Sequence, residues 1–270
     1  MTEPDHVRPG DQVVGNVALP SGLAGRMALM QLRNMPMILM YHGVAEVTED
    51  PNKLCVTPRR FAEQMAWLER RGLRGVGVGT LVDAMRAGRH RGLVGITFDD
   101  GYVNVLEAAL PELQRHGFGA TAYIISGRLG GTNDWDAGPC WPLMSAGEVG
   151  KLAAAGIEIG SHSVTHTRLA GASTEQLAAE VGASRTALAA AVGAEIRGFA
   201  YPYGSMDAAA RRAVRDAGYD YACAVETPIT DVGLMALPRI YMGQQDGAAR
   251  LAVKRRLYRS YIAHRGRRAI

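Results

Sequence analysis

The stretch "VGITFDDGYVN", residues 94–104, ends an apolar run with two adjacent carboxylates, Asp99 and Asp100. Two neighbouring anions in a partly buried place repel each other and lose hydration. The apolar residues that precede them predict a buried strand over 93–98. In parallel α/β folds, ligands bind at the carboxyl ends of the strands, so a carboxylate pair in this position indicates a functional site.

Similar short apolar runs recur along the chain and alternate with helical patterns. The strand candidates are "MILMY" (37–41), "LRGVGVG" (73–79), "LVGITF" (93–98), "ATAYIIS" (120–126), "IEIGS" (157–161), "GFAYPYG" (198–204), "YDYACAV" (219–225) and "LMALPRIYM" (234–242). Strands that alternate with helices indicate βα units and a parallel sheet. Seven or eight such units predict an α/β barrel, and an open doubly wound sheet is the alternative.

Helix boundaries and one glycine-rich turn are also readable. In "TPRRFAEQMAWLERRG" (57–72), Thr57 is the predicted N-cap, Pro58 the first helical residue and Gly72 the stop. The stretch "RGVGVGT" (74–80) resembles a phosphate-binding loop, but it lacks both GK[ST] and the third glycine of the dinucleotide motif. We therefore interpret it as part of a plain strand.

Composition places the chain among ordinary globular proteins. Its 270 residues are 47% apolar and 21% charged, which is enough material for one large domain with a substantial core. No apolar stretch is long enough for a transmembrane segment. The start of the chain lacks the pattern of a secretory signal. Three widely spaced cysteines without a CxxC argue against a disulfide framework, and together these features predict a cytoplasmic protein.

The net charge of +4 is concentrated at the C-terminus. Residues 251–270 contain no acid and seven basic residues, namely Lys254, Arg255, Arg256, Arg259, Arg265, Arg267 and Arg268. Leu257, Tyr258, Tyr261 and Ile262 recur there at helical spacing, which favours a helix docked by its apolar face. Contact with an anionic membrane surface, with nucleic acid or with a phosphate-bearing substrate is the alternative. The predicted organisation is an N-terminal arm over 1–35, a barrel over 36–250 and a basic C-terminal helix or tail over 251–270.

Titratable or hydrogen-bonding side chains follow four of the predicted strands. Tyr41 and His42 follow "MILM", and Asp99 and Asp100 follow "LVGITF". "SHSVTH" (161–166) places two histidines after "IEIGS", and Tyr203 follows "GFAYP". Because a parallel barrel brings all these strand ends to one rim, we expect the side chains to converge there.

The histidines of "SHSVTH" are His162 and His166. Two imidazoles and a carboxylate from another strand form a suitable ligand set for a divalent metal and leave positions open for water. A cation would compensate the charge of one aspartate, and the other aspartate could then accept a proton from water. Without a metal, a capping or turn role for the aspartate pair is an equal alternative.

The motifs "TFDDG", "SHSVTH" and "AYPYG" resemble, in order, the three main motifs of the polysaccharide deacetylase family, also called the NodB-homology or carbohydrate esterase 4 family. The likeness extends from about residue 36 to 243 and includes "LPELQRHGFGATAYI" between the first two motifs. It implies a distorted (β/α) barrel of seven or eight strands that hydrolyses N-acetyl groups of amino sugars with a divalent metal. Asp100, His162 and His166 look like the metal ligands, and Asp99 looks like the general base. The "PYG" turn, Pro202 to Gly204, resembles the motif whose Tyr203 backbone N–H stabilises the oxyanion.

The chain departs from the family pattern at the general acid. Many members have a late Leu-x-x-His motif, but the corresponding stretch here is "ALPRIYMG" and contains no histidine. The departing amine needs a proton, and His42 is the replacement we expect. Its "MYH" context resembles the branch that deacetylates bacterial exopolysaccharide, in which this histidine is implicated. We expect Arg197 to orient Asp99 and Arg239 to hold a carboxylate in the same site.

Substrate contacts are expected from Tyr41, from the turn at Pro202 and from the loop "LGGTNDWDAGPCWPL" (129–143), whose Trp135 and Trp141 could form a sugar platform. The resemblance implies a metal-dependent N-deacetylase acting on an amino sugar or an amino-sugar metabolite. Zn²⁺ is the favoured cofactor, and Co²⁺, Ni²⁺ or Mn²⁺ would also suit the ligands. The alternatives are a deformylase or other C–N amidohydrolase, a non-catalytic carbohydrate-binding relative and a nucleic-acid binder acting through the tail. We expect a small-molecule or oligosaccharide substrate with an acetamido group, and no nucleic-acid partner.

Overall fold

The computed structural model describes residues 35–265 except 137, 226 and 228–231. The strands of this part, in chain order, are β1 (Ile38–Tyr41), β2 (Gly43–Val44), β3 (Cys55–Val56), β4 (Arg74–Val76), β5 (Leu93–Phe98), β6 (Thr121–Ile124), β7 (Glu158–Ser161), β8 (Gly198–Ala200), β9 (Tyr221–Ala224), β10 (Leu237–Pro238) and β11 (Ile240–Tyr241). The α-helices are α1 (Pro58–Arg70), α2 (Val78–Arg86), α3 (Leu110–Arg115), α4 (Ala146–Ala154), α5 (Thr174–Leu177), α6 (Ala183–Val192), α7 (Ala208–Asp216) and α8 (Ala248–Arg265). The predicted alternation of strands and helices is confirmed.

Nine of these strands form one sheet whose described pairs are all parallel. Eight of them follow one another in the order β10-β9-β8-β7-β6-β5-β1-β11, and β4 pairs with the beginning of β5. The two outermost strands of this order, β10 and β11, are separated in the chain by a single residue, Arg239. The sheet is therefore nearly closed into a barrel, as predicted, and the open doubly wound alternative is wrong.

The predicted single last strand over 234–242 is wrong in detail, because the structure divides it into β10 and β11 at Arg239. Pro238 has no N–H to donate to a ladder, and β10 pairs with β9 whereas β11 pairs with β1. The break lets the chain cross from one edge of the sheet to the other. It also places the Arg239 side chain, which is 1% exposed, inside the barrel.

Capping residues start the helices that surround the barrel. The Thr57 side chain accepts a hydrogen bond from the Arg60 N–H, and Pro58 is the first residue of α1, as the sequence predicts. At α4, Ser145 and Glu148 form a reciprocal capping box. These side chains satisfy N–H groups that have no partner within the helix.

The glycine-rich turn "RGVGVGT" joins β4 to α2, so the interpretation as a plain strand is wrong from Val78 onwards, where the helix begins. The Glu158 carboxylate accepts hydrogen bonds from the Gly79 N–H at 2.8 Å and from the Thr121 hydroxyl at 2.7 Å. A Cβ atom at Gly79 would lie 2.4 Å from this carboxylate. The glycines therefore make room for an anion of the protein itself at the start of α2.

The C-terminal helix α8 begins at Ala248, three residues before the predicted start of the tail. Leu251 and Tyr258 are buried, and the Tyr258 hydroxyl donates a hydrogen bond to the Pro36 carbonyl at 2.6 Å. Leu257, which was expected on the docked face, is instead exposed. The side chains of Tyr261 and Ile262, and nearly all of the predicted N-terminal arm, lie outside the described residues. Within the described part, no helix has the length and apolar character needed to span a bilayer.

Candidate active site

The carboxyl ends of β1, β5, β7 and β8 meet at one rim of the barrel. His42 follows β1, Asp99 and Asp100 follow β5, and His162 follows β7. Parallel pairing of β1 with β5, and of β5 through β6 to β7, aligns these strand ends. The convergence expected from the sequence is therefore present.

Asp100, His162 and His166 form a buried cluster at this rim. One potential ligand atom from each residue lies within 4.8 Å of the others. The Asp100 Oδ1 atom is 3.5 Å from His162 Nε2 and 3.4 Å from His166 Nε2. Asp100 and His166 both adopt a left-handed backbone conformation, with φ of 72° and 64°. Such conformations are costly outside glycine and are concentrated at functional sites.

The chemistry of this cluster fits a divalent cation. The His162 Nδ1 atom lies 2.8 Å from the Ala200 carbonyl, a contact that directs Nε2 towards Asp100. Asp100 Oδ1 is buried and has no hydrogen-bond partner among the described residues. Burial raises the pKa of Asp100 well above its usual range, and the adjacent Asp99 carboxylate raises it further. A bound cation would supply the positive counter-charge that keeps Asp100 ionised. One carboxylate with two imidazoles is also a common zinc ligand set.

Asp99 is held by Arg239 in a buried, bidentate ion pair. Arg239 Nη1 lies 2.6 Å from Asp99 Oδ1, and Nη2 lies 2.8 Å from Oδ2. Burial alone would raise the pKa of Asp99, but the Arg239 guanidinium outweighs it, and the pKa is lowered to about 2. Asp99 is therefore an anion at neutral pH, whereas its neighbour Asp100 depends on a cation for its charge. Arg239 thus holds a carboxylate in the site, as expected.

The Asp99–Arg239 pair predicts a specific loss of stability. Arg239→Leu would leave Asp99 buried without its counter-charge, so we expect the free energy of unfolding at pH 7 to fall by about 3–5 kcal/mol. The matched control is Arg197→Leu, because Arg197 also forms carboxylate ion pairs, with Asp83 and Asp220, but at the surface. We expect this control to lose about 1 kcal/mol or less. Urea unfolding measures both, and equal losses would contradict the assignment.

The same pair predicts how stability depends on pH. The pKa of Asp99 is about 2 in the folded protein and about 3.9 in an unfolded chain. A depressed pKa contributes stability that is complete above the unfolded value and is lost as the pH falls through the folded value. We therefore expect wild-type stability to fall between about pH 4 and pH 2 by an amount that is absent from Arg239→Leu.

His42 lies on the same rim and is partly buried. Its Nδ1 atom has no hydrogen-bond partner among the described residues. Burial lowers the pKa of His42 to about 4, although the nearby Asp99 carboxylate opposes this shift. The imidazole is consequently neutral at pH 7, and its protonated form is a stronger acid than an ordinary imidazolium.

Tyr203 projects from the "PYG" turn against the metal-ligand candidates. Its backbone is left-handed, with φ of 56°. Its ring centroid lies 4.5 Å from that of His166, and its hydroxyl donates to Asp136 Oδ1 at 3.2 Å. Pro202 is buried beneath the turn. The Tyr203 ring is thus held next to His166.

The two tryptophans of the 129–143 loop have different surroundings. The Trp135 ring lies 4.8 Å from that of His166 and is exposed to the cleft. Trp141 packs edge-on against the buried Tyr102 ring at 5.4 Å. Trp135 therefore lines the cleft, whereas Trp141 packs against Tyr102 at the other end of the loop.

Two of the predicted site residues are placed elsewhere by the structure. Tyr41 is fully buried, and its ring packs against Phe61 and Phe98. Successive residues of a strand face opposite sides, so Tyr41 faces the helical layer and the expected substrate contact is wrong. Arg197 precedes β8, at the amino end of the barrel, where Asp83 and Asp220 bind it. The prediction that Arg197 orients Asp99 is therefore wrong, and Arg239 occupies that position.

An open cleft of about 620 Å³ adjoins the cluster. Its lining residues are Arg128, Trp135, Asp136, Thr165, His166, Thr167, Arg168 and Tyr203. The sequence analysis did not identify Arg128, Asp136 or Arg168. Arg168 could have been found, because it lies only two residues after the candidate ligand His166. Arg128 and Asp136 are on a loop whose course the sequence does not specify.

The fold and the rim define a parallel α/β barrel with a buried carboxylate–histidine cluster at the carboxyl ends of its strands. The sequence profile described as polysaccharide deacetylase matches residues 86–222, just over half of the chain. This protein belongs to the polysaccharide deacetylase family, as the three motifs predict. The family supports a hydrolytic deacetylase activity.

Individual relatives agree with this membership. YxkH of Bacillus subtilis (strain 168), whose name places it in the same family, is 26% identical over 207 residues, which cover 75% of this chain and 70% of YxkH. The deacetylase PplD of Streptococcus pyogenes, solved with acetate, superposes with a TM-score of 0.70 at 20% identity, covering 81% of this chain and 96% of PplD. A de-N-acetylase from Aggregatibacter actinomycetemcomitans gives a TM-score of 0.67 at 20% identity, covering 80% and 98%. At this identity, the two structures establish a shared fold.

Proposed function

We propose that this protein is a metal-dependent hydrolase that removes the N-acetyl group from an amino sugar or an amino-sugar-containing metabolite. The observation that carries the proposal is that two adjacent carboxylates at one rim have different partners. Asp100 is grouped with two histidines, and Asp99 is grouped with an arginine. This arrangement supports a division in which Asp100 would bind the metal and Asp99 would take part in proton transfer.

Asp100, His162 and His166 would hold the cation. A bound divalent metal supplies a Lewis acid that polarises the amide carbonyl and lowers the pKa of water. Zn²⁺ is the ion we favour, and Co²⁺, Ni²⁺ and Mn²⁺ are the alternatives. Asp100, His162 and His166 are all buried, which strengthens the electrostatic interactions among them.

Asp99 would accept the proton of the attacking water. Arg239 keeps both carboxylate oxygens in place and keeps the group ionised at neutral pH. The backbone N–H of Tyr203 would donate a hydrogen bond to the oxygen that becomes negative after attack. A donor fixed in advance in this way stabilises the transition state more than the substrate.

His42 would deliver the proton that the departing amine requires. The nearby Asp99 carboxylate raises the pKa of His42 against the effect of burial, and the protonated ring would then donate to the departing amine. Trp135 would pack against a face of the sugar, since its ring adjoins His166 in the cleft.

A substrate screen tests the proposed activity. The metal-loaded protein is incubated with acetamido sugars, nucleotide sugars and formamides, and the release of acetate or formate is measured. We expect acetate from at least one acetamido sugar. Formate alone would indicate a deformylase, and sugar binding without release of either acid would indicate a non-catalytic relative.

The proposed role of His42 predicts a dependence on the leaving group. His42→Ala should lower kcat/KM for an acetamide about 100-fold but have little effect on an activated acetate ester, whose leaving group needs no proton. The matched control is His90→Ala, because His90 precedes the amino end of β5 and lies away from the rim. A uniform loss on both substrates, or no loss, would exclude His42 as the acid.

A further inference from the structure

Arg168 is the feature of the cleft that the proposed chemistry does not use. Its guanidinium carbon lies 4.3 Å from the centroid of the Tyr203 ring. The Tyr203 ring in turn contacts His166, and Arg168 lines the same cleft as Trp135. A cation is therefore held beside the position in which the acetamido sugar would bind.

The other charged groups of the cleft already have partners. Arg128 forms an ion pair with Asp134 at 3.0 Å, and Asp136 accepts the hydrogen bond from the Tyr203 hydroxyl. In the part of the chain that the structure describes, no carboxylate lies within ion-pair distance of Arg168. The lining contains two arginines and one aspartate, so its formal charge is positive before any metal binds.

We propose that Arg168 determines specificity by binding an anionic substituent, a carboxylate or a phosphate, carried by the acetamido substrate. This inference rests on the proposed function, because the cleft is taken as the substrate cleft. A guanidinium presents planar, paired N–H donors that match both kinds of anion. Stacking on Tyr203 fixes the plane of the group and leaves its edge available, so little side-chain entropy is lost on binding.

Asp136 limits the size of the expected preference but does not reverse it. Its carboxylate is in the same cleft and would repel an anion. Asp136 accepts a hydrogen bond from the Tyr203 hydroxyl, at the end of the ring, whereas the Arg168 guanidinium lies over the face of the ring. A charge-assisted hydrogen bond to Arg168 would then favour an anionic sugar over a neutral one about tenfold or more.

The experiment compares N-acetylglucosamine with N-acetylglucosamine 6-phosphate, N-acetylglucosamine 1-phosphate and N-acetylmuramic acid. Affinity is measured by calorimetry in the Asp99→Asn background, in which bound sugar is not consumed, and kcat/KM is measured in the wild-type background. At least one anionic sugar should bind about tenfold more tightly than N-acetylglucosamine. Arg168→Gln should remove this ratio, and the phosphate and carboxylate probes identify which anion is preferred.

Arg250→Gln is the matched control. Arg250 is another exposed arginine, but it lines a separate cavity of about 790 Å³ between α8 and the β2–β3 region. We expect Arg250→Gln to keep the preference for the anionic sugar. If Arg250→Gln removed it and Arg168→Gln did not, the anion site would belong to the other cavity and the inference would be overturned.

Two further outcomes would also overturn it. Equal binding of all four sugars would show that the cleft does not select charge. Equal weakening of neutral and anionic sugars in Arg168→Gln would show that Arg168 only positions Tyr203. Failure of the proposed function is distinguishable, because it appears as a charge preference in binding without any release of acetate.

Discussion

Asp99→Asn should reduce kcat for acetate release by about a thousandfold, which is within the range for loss of a general base. The substitution keeps the size of the side chain and leaves an oxygen to accept from Arg239, but it removes the ability to take a proton. Metal content should be unchanged, because the potential ligands are Asp100, His162 and His166. Turnover and bound metal are measured on the same preparation.

A matched substitution separates this effect from damage to the fold. Asp83→Asn also removes one carboxylate from an arginine ion pair, but at the opposite end of the barrel, where Asp83 binds Arg197. It should keep full activity. If Asp99→Asn retained more than about a tenth of the wild-type kcat, Asp99 would not be the base.

Asp100→Ala should abolish stable metal binding and, with it, turnover. Loss of outer-shell partners alone costs about 10–100-fold in metal affinity, so removal of a direct ligand should cost at least about 100-fold. Elemental analysis after dialysis should find close to one ion per chain in the wild type and in Asp99→Asn. The Asp100→Ala variant should contain almost none.

Thermal unfolding is a second, independent measurement of whether Asp100→Ala loses metal binding. A metal that binds only the folded state raises the stability by RT ln(1 + [L]/Kd). Added Zn²⁺ should therefore raise the Tm of the wild type and leave that of Asp100→Ala unchanged. Equal metal loss from Asp99→Asn and Asp100→Ala would show that the division of roles between the two aspartates is wrong.

Features that depend on local sequence were predicted well. The strand over 93–98 is observed with the same bounds, because a continuous apolar run followed by Asp-Asp-Gly has few other stable arrangements. The Thr57 cap was predicted for a similar reason, since its chemistry acts over only three residues. The convergence of polar side chains at one rim was also predicted, because the carboxyl ends of parallel strands lie on the same side of the sheet.

Features that depend on long-range geometry were predicted poorly. Arg197 and Arg239 are both arginines close to a strand of the barrel, and only the path of the chain shows which one reaches Asp99. Tyr41 could have been excluded from the sequence, because strand alternation places it on the opposite side from His42. The position of Arg168, two residues after His166, is readable from the sequence, but its stacking against Tyr203, which follows a different strand, is not.

The most direct test of the central claim is a crystal structure of the protein with zinc, measured at the zinc absorption edge. The proposed function predicts one strong anomalous peak about 2.0–2.2 Å from a carboxylate oxygen of Asp100 and from Nε2 of both His162 and His166. Asp99 should remain paired with Arg239 and should not contact the ion. A peak at another site, or a separation of the three side chains that prevents them from sharing one ion, would contradict the claim.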